Sequence, residues 1–306
     1  MGYPVAAGVP SHSGNYTPIV FSKKMQVKFH LATVFGAIAN TDWEGEIKDM
    51  GDTVEIRTIP DITISDYVKG EGTGTAENLD PGTVTLNINK GKKYNVNIYD
   101  IDKVQSDLAF LDKWATEAGE QLKIAIDKDI LAGIVGDAAV ANKGANAGAI
   151  SGGINLGATG AAVAIDKTNV IDYIINMGLC LDEQNVPETD RWVVIPAWMA
   201  ARIKTSELKD ASMTGDGKSI LRNGKVGMID RFTVFSSNNI HSVTDTVKCF
   251  YPFAGHKSGL TFASQLVKNQ IIPNPNEFGD LMRGLHVFGY ETVKPEALVE
   301  GYVKVG

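Results

Sequence analysis

KVQSDLAFLDKWATEAGEQLKIAIDKDILAGIVG, Lys103 to Gly136, is the stretch on which the fold turns. Val104, Leu108, Leu111, Ala115, Ala118, Leu122 and Ala125 recur at steps of four and three, which places them on one stripe of an α-helix. Phe110, Trp114, Ile126, Ile130 and Ile134 widen that stripe. Asp102 or Ser106 is suited to cap the start, and Asp107 suits the positive end of the helix dipole. A helix over this stretch is roughly 45 Å long at 1.5 Å per residue. The mean globular helix has about 11 to 12 residues, so this one is long for its class. Its apolar stripe, with Leu108, Leu111, Trp114 and Leu122 at its centre, is expected to be core.

Immediately upstream the pattern has period two. Thr53–Ile59 alternates as a strand does and Pro60 ends it. Asp61–Val68 is a second extended piece, with Ile62 and Ile64 in step. Lys69–Gly82, KGEGTGTAENLDPG, is a polar, glycine-rich tip. Thr83–Ile88 returns as a strand, and Tyr94–Tyr99 continues after a turn at Asn89–Lys92. The whole is a two-stranded arm with little apolar surface of its own. Such a hairpin is marginal in water, so it is expected to lie against another surface.

The first 30 residues are rich in Gly, Pro, Ser and Asn with no sustained period, which predicts an extended arm. Residues 1–41 contain no Asp or Glu but carry Lys23, Lys24 and Lys28. Val27–Asn40 has the spacing of a short helix. Beyond the long helix, Ala138–Ala164 is a Gly/Ala/Asn-rich loop with room for short strands. A helix capped by Asp166 or Thr168 runs to about Leu181. Arg191–Ile195 is a buried strand, and Pro196 opens a helix over Ala197–Lys204 in the position that proline tolerates. Ser206–Gly224 is a polar loop. Phe232–Ser236, Lys248–Phe253 and Leu281–Val293 are strands, and Ala297–Val303 closes the chain. Helices and strands interleave without a βαβ rhythm, so the class is α+β.

The totals exclude several functions. With 43% hydrophobic and 21% charged residues over 306 positions, the chain has the composition of a folded protein large enough for two lobes. A net charge of −7 argues against a dedicated phosphate-gripping protein. Cys180 and Cys249 are far apart and in no metal or redox motif, which fits a reducing compartment. Leu31–Ala39 is too short for a membrane span, so no membrane is expected as a partner.

No catalytic constellation survives inspection. Gly215-Asp-Gly-Lys-Ser219 has the end of a phosphate loop, but its first glycine position holds Ser212 and no buried strand precedes it. Gly70-Glu-Gly-Thr-Gly74 leads into no helix whose N-terminus would bind an anion. Neither Gly148–Gly152 nor Gly255–Gly259 matches a nucleophile elbow. The histidines at 12, 30, 241, 256 and 286 have no ligand spacing. Asp127 and Asp129, two apart on the long helix, point to different faces and are expected to be solvated. No enzyme activity, cofactor or metal is therefore expected.

The order of the pieces carries more than any motif. Gly51-Asp-Thr-Val-Glu-Ile-Arg57, the polar loop, Lys93-Tyr94 through Ile98-Tyr-Asp-Ile-Asp102, and Gln105 opening the long helix together resemble the major capsid proteins of tailed bacteriophages. RWVVIPAWMAAR (Arg191–Arg202) looks like the strand and helix of that family's axial domain, and GKVGMIDRFTVFSSNNI (Gly224–Ile240) resembles its loop-and-strand segment. HKSGLTFASQ, FGDLMRGLHVFGYETV and PEALV, within Gly255–Val303, are similar to its closing stretch.

That resemblance implies a shared capsid and encapsulin fold. An N-terminal arm spans 1–45 and an extended hairpin loop 46–102. A peripheral domain with the long "spine" helix covers 103–165 and 261–306, and an axial domain covers 166–260. It implies a coat protein forming pentamers and hexamers of itself in an icosahedral head, found in the virion and made in the host bacterial cytoplasm. The implied partners are a scaffolding protein, a portal, a decoration protein, and packaged double-stranded DNA held by weak non-specific contact. A chain beginning at Met1 without a long scaffolding segment points to a separate scaffolding protein. The hairpin arm, through Ile62, Ile64, Tyr67, Lys69 and Leu79, is expected to contact neighbouring subunits, and the basic arm with Lys23, Lys24 and Lys28 to face inward. Two alternatives stay open: an encapsulin-like compartment shell, which bound DNA in purified particles would separate, and a soluble α/β enzyme using residues 212–219 for a phosphate.

Overall fold

A computed structural model describes residues 33–44, 53–60, 62–70, 72, 75–101, 110–206 and 227–306, with side chains at all of them except 110–113, 266 and 267. In chain order the elements begin with α1 (Phe35–Ile38, a single turn), β1 (Thr53–Arg57), β2 (Thr83–Asn87), β3 (Lys90–Tyr99) and the long helix α2 (Phe110–Gly133). Then come β4 (Val163–Ile165), α3 (Val170–Glu183), β5 (Arg191–Ile195), α4 (Ala197–Thr205), β6 (Met228–Ile229) and β7 (Phe232–Ser236). The chain continues with β8 (Ser242–Asp245), β9 (Val247–Phe250), β10 (Phe253–His256), β11 (Leu260–Pro273), β12 (Gly279–Thr292), β13 (Leu298–Glu300) and β14 (Val303–Val305). The phosphate-loop stretch 212–219, Leu108, and the lysines at 23, 24 and 28 lie outside the described residues.

The mixed α+β class holds. Among the described residues four sheets form: β1-β2; β11-β12-β3; β13-β10-β5-β7-β6; and β4-β14-β9-β8. All five residues of β5, RWVVI, are buried, as expected for a strand covered on both faces. Pro196 precedes α4 with extended backbone and so starts the helix without needing an N–H. The N-cap of α3 is Asn169 rather than Asp166 or Thr168, and Asp166 holds the turn ahead of it by accepting bonds from the Thr168 and Asn169 backbone N–H groups at 2.7 and 3.1 Å. Its carboxyl is held below the usual carboxylate range by the bonds from the Thr168 side chain and these N–H groups.

The structure departs from the sequence expectations at three places. First, the chain does not turn back at Asn89–Lys92. β2 pairs only with β1, while β3 crosses to pair antiparallel with β12 from Lys90↔Phe288 to Tyr99↔Gly279. Residues 90–99 are thus part of the long sheet rather than the arm. Second, residues 298–305 return to the sheets of the 163–256 region, through β13↔β10 and β14↔β4, rather than staying with β11 and β12. Third, Lys248–Phe253 divides into β9 and β10 around Tyr251 and Pro252, because proline cannot continue a ladder.

The stripe on α2 is most deeply buried toward its C-terminal end. Ile126, Ile130, Leu131 and Ile134 are fully buried in a core shared with Val34, Ile38, Trp192, Phe253 and Phe288. Leu122, one turn before Ile126 on the same face, is half-buried and packs against that core. Trp114 and Leu122, expected as core, are half-buried and face a groove of about 550 Å³ shared with Val96 of β3. Leu111 lies in the helix, its side chain outside those described. A second core gathers α3, α4 and the strands around them through Ile174, Met177, Leu181, Met199 and Phe232.

Candidate functional site

Two surfaces concentrate the unusual features, the arm and the long sheet with its helix. The arm is closed at its base by Thr58, whose N–H and hydroxyl both donate to the Gly82 carbonyl at 2.8 and 2.9 Å. Inside β1–β2, Ile56 and Leu86 pack with Ile88, Ala263 and Val293, so the base of the ribbon is anchored on the body. Gly289 allows this approach, because a Cβ there would lie 2.2 Å from the Asn87 carbonyl oxygen.

Beyond Thr58 that anchoring stops. Ile59 is 95% exposed, Ile64 88% and Tyr67 74%, and Ile62, Val68 and Leu79 are exposed as well. Lys69 is exposed at the tip. The Thr63 N–H and hydroxyl donate to the Glu77 carboxylate at 3.1 and 3.2 Å, tying the two sides of the arm together. The described residues from 62 to 80 belong to no strand. The structure thus gathers the sequence-predicted residues Ile62, Ile64, Tyr67, Lys69 and Leu79 on one projecting element, and buries none of them.

On the body, the even-numbered residues of β3 face α2. Asp129 bonds the Lys92 ammonium and lies 3.4 Å from that of Lys90. Tyr290 from β12 donates to the Asp129 carbonyl oxygen at 2.8 Å and approaches its carboxylate at 3.1 Å. Burial pushes the Asp129 carboxyl upward, but the bonds from Lys92 and Tyr290 outweigh it and hold the group below its ordinary value. Asp129 thus clamps sheet to helix instead of being solvated.

Asp127, expected on the solvated surface, is fully buried. Its Oδ1 accepts from the backbone N–H groups of Val34 and Phe35, both at 2.9 Å, capping α1. Its Oδ2 accepts from Asn239 Nδ2 at 2.7 Å. One carboxylate therefore joins the N-terminal segment, the long helix and the loop after β7. Nothing in the local sequence signals this, because the three donors lie about a hundred residues away.

Further along, Asp182 bonds both Arg191 and Arg231, at 2.7 and 2.8 Å. Burial raises its carboxyl, and these guanidinium bonds more than reverse the effect. Among the described residues, no group of three or more His, Cys, Asp or Glu is placed to hold a metal, and no helix is long and apolar enough to cross a membrane.

A family model described as phage capsid protein matches residues 83–300, from the first residue of β2 to the last of β13. The chain belongs to the phage capsid protein family. This capsid chain is a structural major capsid protein, one that assembles with copies of itself into the shell of a virion. Its fold is that of solved phage structures. One from Mycobacterium phage Che8 superimposes with a TM-score of 0.77 at 26% identity, over 94% of this chain and 97% of that one. The capsid structure of cyanophage P-SCSP1u gives 0.72 at 15% identity, over 95% and 94%. The mature capsid of bacteriophage PhiM1 gives 0.69 at 14%, over 94% and 92%. No curated protein matches the capsid chain in sequence.

Proposed function

We propose that this capsid protein builds the icosahedral head of a tailed bacteriophage around its packaged double-stranded DNA, as pentamers and hexamers. In this assembly the residues before 46 are an inner arm, α2 is the spine of a peripheral domain with the long sheet, and the α3–β10 region is an axial domain. The observation that carries the proposal is the arm beyond Thr58. It presents Ile59, Ile62, Ile64 and Tyr67 to solvent, while ordering its backbone costs roughly 1–2 kcal/mol per residue. A single subunit returns little of that cost, whereas a lattice of neighbours can return it at every copy.

The partners follow from the same assembly. A scaffolding protein directs closure, a portal occupies one vertex, and DNA meets the shell weakly. An overall charge of −7 keeps the wall from gripping DNA, and Lys23, Lys24 and Lys28 on the inner arm provide the local contact. The shell subunit itself performs no catalysis and needs no cofactor, and synthesis takes place in the host cytoplasm. Co-expression with the scaffolding protein, followed by sedimentation and negative-stain microscopy, tests this. Closed icosahedral particles are expected, and only monomers or small oligomers would overturn it.

A further inference from the structure

β3 lies at one edge of its sheet. The order β11-β12-β3 leaves its outer side without a partner strand among the described residues, while its inner side pairs with β12 from Lys90 to Tyr99. An edge of 10 residues offers backbone N–H and C=O groups to any extended chain, and proteins cover or blunt such edges. Beside this edge runs the groove of about 550 Å³ between β3 and α2, lined by Trp114, Ala118, Leu122, Ala125, Tyr94 and Val96. The β3 residues that face α2, at 90, 92, 94 and 96, are only half-buried. A strand edge and an apolar trough thus lie open side by side.

A stretch of sequence that suits both precedes α1. Lys24–Leu31, KMQVKFHL, alternates strictly: Met25, Val27, Phe29 and Leu31 are apolar, and Lys24, Gln26, Lys28 and His30 are polar. Period two over such a length is the pattern of a half-buried strand, and α1 begins only at Phe35. The point of attachment is fixed as well. The Val34 N–H, three residues after Leu31, bonds Asp127 of α2, just past Ala125 at the end of the groove. From Ala125 to Trp114 the groove follows α2 for about 16 Å at 1.5 Å per residue, a distance that about five extended residues cover.

We propose that residues 24–31 of the same chain bind along the outer edge of β3 as a fourth strand of the long sheet, with Met25, Val27, Phe29 and Leu31 laid in the groove against α2. The direction follows from the contacts of α2. Asp129 sits beside Lys90 and Lys92, so the start of β3 lies near the Asp127 end of the groove, where the tether from Val34 brings Leu31. The added strand therefore runs antiparallel to β3, with Leu31 toward Lys92 and Met25 toward Val96. Main-chain bonds supply the pairing, and the groove selects for alternate apolar side chains. Lys24 and Lys28 stay on the side away from α2. A neighbour's copy of this stretch has the same chemistry, but so short a tether holds the chain's own copy at an effective concentration of about millimolar. The strand also closes an edge on which two subunits would otherwise pair unproductively.

Paired cysteines in the free, full-length subunit test this. Cys180 and Cys249 are buried and give little background. With Ala118→Cys on the groove wall, Val27→Cys or Phe29→Cys should form a disulfide within one subunit under mild oxidation, whereas Gln26→Cys or Lys28→Cys should not. Hydrogen exchange supplies a second reading. In the variant Val27→Asp/Phe29→Asp, the β3 amides that do not bond β12 should exchange at least about tenfold faster than in the wild type, a change of about 1.4 kcal/mol. Gln26→Asp/Lys28→Asp should keep the wild-type rates. Equal cross-linking from both sides of the alternation, or wild-type β3 amides that exchange as fast as those of the first variant, would overturn the proposal. Disulfides between two subunits would overturn the same-chain assignment and give the edge to a neighbour's segment. Both readings are taken on the free subunit, so they stand or fall separately from shell formation.

Discussion

Asn239 donates its side-chain amide to Asp127 Oδ2 at 2.7 Å, and through that carboxylate it reaches the capped start of α1. Asp127→Ala removes the acceptor from three donors, each worth about 1–3 kcal/mol when stranded in a buried site. Asp127→Asn keeps one oxygen for the Val34 and Phe35 N–H groups, and costs less once Asn239 turns its own oxygen toward the new amide. Urea unfolding should therefore rank wild type above Asn above Ala. Limited proteolysis should cut Ala variants sooner near residues 33–44. Equal stability for all three would mean the carboxylate joins nothing of consequence.

Glycine 133 offers a case where helix propensity and packing disagree. Replacing glycine by alanine stabilises a helix interior by about 1 kcal/mol, and at Gly133, the last residue of α2, propensity still favours alanine, by less. Here the added Cβ would lie 1.9 Å from the Tyr290 hydroxyl and 2.7 Å from its ring, displacing the group that bonds Asp129. Gly133→Ala should lower the melting temperature, with a rise showing that Tyr290 moves aside at little cost.

Glu300 on β13 provides the pH dependence. Burial raises its carboxyl above the ordinary value, and repulsion from Asp137 adds to this, against the Gly136 N–H and the Lys143 charge. A carboxyl whose folded pKa is raised binds its proton more tightly in the folded state. Its ionisation therefore costs stability at neutral pH, and stability is regained as pH falls through the raised pKa. Glu300→Gln can still accept the 2.6 Å bond from the Gly136 N–H without the charge. The variant should melt above wild type at pH 7.5, and the difference should vanish below about pH 4.3, the ordinary glutamate value. A difference that grows on acidification would reverse the assignment.

Buried positions separate in the same way. Ile130 is fully buried in the core around α2, so Ile130→Ala should cost about 2–5 kcal/mol. Trp114, half-buried at the groove beside β3, should cost less on truncation to alanine despite its greater size. Denaturant midpoints of the two variants settle the order.

What could be read from the chain alone was local. The unbroken apolar run at β5, Pro196 ahead of α4, and the length of α2 each follow from neighbours in sequence. β11 escaped notice because a bulge between Ser264 and Leu266 shifts its register and breaks the alternation that marks a strand. Within the stripe on α2, Ile126, Ile130 and Ile134 are buried while Trp114 and Leu122 are half-buried, because only the position of α1 and the sheets decides which part of a helical stripe is covered. Asp127 looks like any surface acid until donors from residues 34, 35 and 239 are brought to it.

The arm beyond Thr58 permits the sharpest separation of folding from assembly. Thr58 and Gly82 already meet across the base of the arm at 2.8 Å, so a short Gly-Ser link replacing residues 60–80 can close the ribbon without strain. The described residues among those removed contribute no member of any buried core. The free subunit should keep its helix content by circular dichroism, and its melting temperature should stay close to wild type. Shell formation, viewed by electron microscopy on the same preparation, should be abolished or misdirected, because the exposed Ile62, Ile64 and Tyr67 are the surface offered to a neighbour. A deletion variant that builds normal shells would show that the arm is dispensable for assembly. One that cannot fold would show that the arm supports its own subunit, through contacts that its exposed side chains do not display.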